Sequence, residues 1–157
     1  MDTRRIRCLV VAVVAATGVG CVSTAPEPPS PAPESENIVE LTVRVVGAES
    51  DGGWIAVAIY GSPETFAERR EPAAAVRLPV EERGASWRVP VLRPGRYAIA
   101  AFHDRDADGE LDRSAVGVPT ERYGFSNDAR GRFGPPSFDA AAVTLDGGAH
   151  DLVITLR

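Results

Sequence analysis

The chain has little cysteine. Its two residues of that type, Cys8 and Cys21, both fall at the N-terminal end, so nothing after residue 21 can form an internal disulfide. Exported domains with small cores often rely on such bridges; here apolar packing or an ion must take that role. A long hydrophobic run is also missing. The apolar stretch from Cys8 to Ala16 falls well short of the roughly 20 residues that a bilayer-spanning helix requires. Positive charge is in deficit as well: the formal charge is −5. Residues 1–20 carry Asp2 against Arg4, Arg5 and Arg7, a net of +2, so the remainder sits near −7. That balance excludes nucleic acid as the expected partner, because such binding depends on basic patches that displace phosphate counterions. It also argues against adhesion of the folded part to anionic lipid. The sequence has no nucleophile elbow, no zinc-ligand spacing and no phosphate loop, and no catalytic residue is assigned.

What is present begins with an address. Arg4, Arg5 and Arg7 precede the short apolar run, the arrangement of a secretory signal over residues 1–20. Thr17-Gly18-Val19-Gly20-Cys21 then resembles the lipobox of bacterial lipoproteins, with Gly18 where that pattern prefers Leu. The resemblance implies lipidation at Cys21 and a membrane anchor there. An ordinary signal peptide cut at a nearby small residue, or a short uncleaved anchor, are the alternatives. Residues 21–37 are rich in Pro, Ser and Glu, with too little apolar surface to offset their ordering entropy, and read as an extended tether. With Val22 rather than Asp after the cysteine, resemblance to the sorting rule of enteric bacteria implies the periplasmic side of the outer membrane. The inner membrane and the cell surface stay open.

A length of 157 residues and 44% hydrophobic content suit one globular domain, placed at residues 38–157. Period-two alternation dominates it. Ile38–Val45 directs Val39, Leu41, Val43 and Val45 to one face, and Trp54–Tyr60 directs Ile55, Val57 and Ile59 inward. With the Asp51-Gly52-Gly53 turn between them, these two strands read as a hairpin. Ser62 is placed to cap a short helical turn over Pro63–Arg70, with Phe66 as its apolar contact. Ala74–Val80 and Ser86–Leu92 read as a second hairpin around Glu82-Arg83-Gly84. Arg93-Pro94-Gly95 turns the chain into Tyr97–Phe102, and Ala142–Leu145 with Leu152–Leu156 close the domain around Asp146-Gly147-Gly148. About seven short strands without a long helical period predict an all-β fold, a seven-stranded β-sandwich with a long ordered loop. Leu92–Ile99, a Pro-Gly turn leading into an aromatic and alternating small apolar residues, resembles a strand of transthyretin-like and collagen-adhesin-B-like sandwiches, which implies a sandwich of the immunoglobulin-like or transthyretin-like type.

Two stretches carry chemistry. In His103–Asp112, carboxylates at Asp104, Asp106 and Asp108 alternate, Gly109 permits a sharp bend, the backbone carbonyl of Glu110 is placed to turn inward, and Asp112 follows. Ca²⁺ takes six to eight oxygen ligands, and alternate carboxylates in a curled loop converge on one point. Clustered carboxylates also repel without a cation. The twelfth position counted from Asp104 is Ala115, not the bidentate Glu of an EF-hand, and no helices flank the loop. A structural calcium site with affinity on the order of 10⁻⁴–10⁻³ M is the expectation; a bare acidic turn is the alternative. Second, Gly117–Phe138 is too long for a plain connector and too aromatic for disorder. Tyr123, Phe125, Arg130, Arg132 and Phe133 are the candidate binding surface, since aromatics and Arg anchor interfaces. The plainer reading is that these aromatics plug one end of the sandwich. His103 and His150 read as structural, with His103 expected to be partly packed at its strand end.

Ala101-Phe102-His103-Asp104, Gly109-Glu110-Leu111-Asp112, Gly117-Val118-Pro119, Tyr123–Asn127 and Arg132–Phe138 together resemble the bacterial domain-of-unknown-function family 2141 over nearly all of Ile38–Leu156. The resemblance implies a small exported β-rich protein and no particular activity. Three functions are therefore weighed. They are a lipid-tethered envelope module that binds a protein or glycan, a purely structural envelope protein, and a hydrolase using His103 beside the acidic loop.

Overall fold

A computed structural model of the chain describes residues 38–50 and 52–157. The signal peptide, Cys21 and the tether lie outside the described residues, as does Asp51 of the first turn. The first strand, β1 (Val39–Val46), buries Val39, Leu41, Val43 and Val45, and β2 (Trp54–Tyr60) buries Ile55, Val57 and Ile59, as the alternation requires. The helical turn α1 spans Pro63–Glu68; Ser62 Oγ accepts from the Thr65 amide, Pro63 opens the turn, and Phe66 is buried. The remaining strands are β3 (Ala74–Pro79), β4 (Gly84–Leu92), β5 (Gly95–Asp104), β6 (Tyr123–Phe125), β7 (Val143–Leu145) and β8 (Gly148–Thr155), with a second helical turn α2 at Phe138–Ala141.

Among the described residues these strands form two sheets. Sheet A has the order β4-β1-β8, and sheet B the order β3-β2-β5-β6, with β7 also paired to β5. The all-β sandwich is as expected, with eight strands in place of seven, but neither of the two expected hairpins forms. β1 pairs with β4 and, in parallel, with β8; β2 pairs with β3 and β5; β7 and β8 belong to different sheets. The physical reason is that period-two patterning fixes which face of a strand points inward and leaves its neighbour undetermined. A short turn that arches over the core turns the apolar faces of successive strands toward each other and satisfies the same pattern. The Glu82-Arg83 turn shows how this happens. Both residues have positive φ (49° and 61°), Glu81 and Gly84 exchange backbone hydrogen bonds at 2.8 and 2.9 Å, and then β3 and β4 part into separate sheets. Pro90 is accommodated because β4 is an edge strand, with a bulge where it meets β1 between Val39 and Leu41.

The eighth strand, β6, lies inside the stretch read as a loop. It pairs with β5 through Tyr123–Phe102, Gly124–Ala101 and Phe125–Ala100, and it also exchanges two backbone hydrogen bonds with Arg157 at the end of sheet A. Gly124 makes that approach possible, since a Cβ there would sit 2.5 Å from the Thr155 carbonyl oxygen. Between the sheets lies the main core, from Leu41 and Ile55 to Ile154 and Leu156. A second cluster on the outer face of sheet B gathers Tyr60, Phe66, Phe125 and Phe138 under α1 and α2. The Phe66 ring meets the other three edge-on at 5.6–6.1 Å. Ser126 pins this cluster: its buried hydroxyl accepts from the Ile99 amide at 2.9 Å and donates to the Ala141 carbonyl at 2.5 Å.

Candidate metal centre and the neighbouring groove

β5 ends at Asp104 at one end of sheet B, where β2 sets Trp54 opposite it and, two pairs further along, pairs Ala56 with Arg77 of β3. The Asp104 carboxylate has no solvent exposure. Arg77 Nη2 donates to its Oδ2 at 2.5 Å, the Gly109 amide donates to the same oxygen at 3.1 Å, and the Arg77 guanidinium lies 5.8 Å from the Trp54 ring centre. Oδ1 of Asp104 has no hydrogen-bond partner among the described residues, an expensive state for a buried carboxylate.

Beyond Asp104 the chain curls by two successive side-chain turns. Asp106 Oδ1 accepts from the Asp108 amide at 3.3 Å, and Asp108 Oδ1 accepts from the Glu110 amide at 2.8 Å. Ala107 and Gly109 take positive φ (67° and 88°), so the bend expected at Gly109 is present. Glu121, which the sequence reading passed over, is almost fully buried and closes the loop from beneath. Its two oxygens accept from the Arg105 amide at 2.8 Å and the Asp112 amide at 3.2 Å, tying the two ends together. Its only signal in the sequence is a carboxylate one residue ahead of the pair Arg122-Tyr123, where the missed strand begins.

The carboxylates converge in two overlapping groups, Asp104–Asp106–Asp108 and Asp106–Asp112–Glu121. In each, one ligand oxygen per residue lies within 4.8 Å of the others. The carboxylates of Asp104, Asp106, Asp108 and Asp112 therefore come together, joined by Glu121; Glu110, expected to contribute its backbone carbonyl, has its side chain in neither group and lines the groove described below. Such a set of hard oxygen donors suits Ca²⁺ or Mg²⁺ and is unsuited to soft metals.

His103 is fully buried, beyond the partial packing expected from strand alternation. Its Nδ1 accepts from the Glu49 amide at 3.3 Å, which leaves Nε2 to donate to the Gly52 carbonyl at 2.8 Å. With neither a free nitrogen nor access to solvent, the ring has the role of a structural cross-link, and a reacting histidine finds no support here. Gly53 (φ 83°) lets this turn approach, because a Cβ would fall 2.6 Å from the Asp104 carbonyl oxygen. His150 bonds the Asp146 carbonyl at 2.9 Å.

Next to the acidic loop, the outer face of sheet B forms the floor of a groove of about 1520 Å³. The segments 109–119 and 131–135 rise beside it. Of the anticipated binding residues, Tyr123, Phe125, Arg132 and Phe133 line this groove; Arg130 instead lines a cavity of about 150 Å³ near Arg157. Phe125 belongs to the buried aromatic cluster, as the plug reading expects, whereas Phe133 is fully exposed. Tyr60 lines the groove as well, and its burial pushes the phenol upward in pKa, with Arg69 opposing in part. At the far end, the hydrogen bond from Arg157 holds the Asp128 carboxyl below its usual range.

The fold is an all-β sandwich with an acidic loop at one end of its second sheet. Residues 43–152 match the family described as an uncharacterised protein conserved in bacteria, DUF2141, and the chain belongs to that family. The matched span takes in the acidic loop, Glu121 and both walls of the groove. No curated protein and no solved structure matches the chain.

Proposed function

We propose that this protein is a cation-organised binding module of the bacterial cell envelope, anchored by lipid at Cys21 on the periplasmic side of the outer membrane. Calcium is the ion proposed for the loop, held by Asp104, Asp106, Asp108 and Asp112 with Glu121 beneath, and its role there is structural. The observation that carries this reading is Asp104. It is a carboxylate without solvent exposure, with one oxygen unpartnered, and it contributes an oxygen to a group of three ligand atoms within 4.8 Å. Arg77 offsets one of the five carboxylates gathered there, and the remaining negative charge calls for a further cation. The short apolar N-terminal run and the Pro-rich segment after Cys21 support the tethered location. The groove supports a binding role, because the loop that would hold the ion also walls it.

The Arg77–Asp104 ion pair favours one second reading, a purely structural envelope domain in which the arginine alone serves as the loop's cation. Thermal unfolding with calcium and with chelator separates the two. The calcium-organised module is expected to gain several degrees with calcium, and Asp104→Ala with Asp108→Ala is expected to abolish the gain. An equal gain in that double variant would remove the site from these residues, and no gain in the parent chain would leave the arginine-only reading.

A further inference from the structure

The groove on sheet B has a composition that points to one kind of occupant. Its floor is made of alanines set side by side by the strand register: Ala58 pairs with both Ala75 and Ala100, and Ala56 lies one step along. Small side chains in adjacent rows leave a shallow apolar channel where larger residues would have filled the space. At about 1520 Å³ the groove exceeds the roughly 300–1,000 Å³ of ordinary small-molecule pockets, which favours an elongated ligand.

The polar groups facing it are unbalanced. Arg69, Arg77, Arg113 and Arg132 line the groove against one carboxylate, Glu110, in a chain whose overall charge is negative. Arg77 is paired with Asp104; Arg113 gives an N–H to the Gly117 carbonyl; none of Arg69, Arg113 and Arg132 is in an ion pair among the described residues. Guanidinium groups are donors only and match carboxylate and phosphate. A sugar, whose hydroxyls need acceptors as often as donors, is poorly served by this lining. At the mouth, Val116, Val118 and Phe133 stand exposed, Phe133 completely, as apolar surface awaiting cover.

Resting on the binding-module reading above, we propose that the groove binds a single-chain amphiphile. Its acyl chain lies along the alanine floor, and its anionic head rests on Arg113 and Arg132. The head is the carboxylate of a free fatty acid or the phosphate of a monoacyl lipid, since both meet the same guanidinium chemistry.

Calorimetric titration of the purified chain tests this, with dodecanoate, dodecyl phosphate and dodecyltrimethylammonium below their micelle concentrations and dodecanol below its solubility limit. At least one anion is expected to bind about tenfold or more tighter than the alcohol and the cation, and which anion does so identifies the head group. Arg113→Ala with Arg132→Ala, both at exposed positions, is expected to remove that advantage while leaving dodecanol binding unchanged. Ala58→Phe, checked for native circular dichroism, is expected to weaken all four ligands by filling the floor. Equal affinity for all head groups, an undiminished anion preference in the arginine variant, or no binding of any amphiphile would each overturn the proposal. A panel of soluble acidic glycans runs in parallel. Binding there without amphiphile binding would overturn the acyl assignment and keep the binding module; binding of neither would remove both.

Discussion

The two sheets have inner faces of the same kind and outer faces of opposite kinds. Inside, both present aliphatic residues at alternate positions. Outside, sheet A shows water a mixed polar surface that includes Glu40, Arg44, Arg88 and Asp151, with Val46 and Val153 scattered among them. Sheet B shows alanine and aromatic side chains, and the chain's own segments fold over that face: α1, α2 and the two loops that wall the groove. A sheet finished by water needs only charge; a sheet finished by loops needs those loops to be held. Burial of Glu121, the Ser126 hydroxyl and the close pass at Gly124 all serve that holding, and all lie on the sheet B side or at its seam with sheet A. The proposed site lies on the side of the molecule where these buried polar groups, each hydrogen-bonded, hold the covering loops.

The sharpest way to break this comparison is at the seam. Gly124→Ala drives a methyl group into the Thr155 carbonyl and is expected to cost about 3 kcal/mol in urea unfolding. Less severe is Ser126→Ala, which leaves the Ile99 amide without its acceptor and is expected to cost about 1–2 kcal/mol by the same measurement. On the alkaline side the contribution comes from Tyr60. Its folded pKa lies above the unfolded value of about 10, so its contribution is complete below that pH and is lost as pH rises through the folded value. A melting temperature that falls above pH ~10 in the parent, and falls less in Tyr60→Phe, would show this. Smallest of all is the effect expected on the other face: Val153→Thr, exposed on sheet A, should change stability by no more than about 0.5 kcal/mol. A large loss there would undo the distinction between the two surfaces.

How much of this the sequence discloses follows the same division. Strands with strict alternation were legible almost to the residue, as were Ser62 and Pro63 at α1, because local patterning carries that information. Pairing was not legible: Trp54–Tyr60 has the same pattern in a hairpin with β1 as in a separate sheet, and only long-range packing decides. The strand character of Tyr123-Gly124-Phe125 was not legible because three residues with a central glycine give no periodicity; it comes from Phe102 and Arg157 on either side. The spacing of Asp104, Asp106, Asp108 and Asp112 announced the acidic loop. Glu121 did not announce itself, since its burial depends on the loop returning over it.

The most direct test of the account is a calcium titration of the ¹⁵N-labelled chain followed through its backbone amide resonances. The expected result is saturable shifts confined to Asp104–Asp112 and Glu121, with a midpoint on the order of 10⁻⁴–10⁻³ M, and an undisturbed sheet A. Amides of the acidic loop that stay unmoved into the millimolar range, or that move no more than those of sheet A, would contradict it.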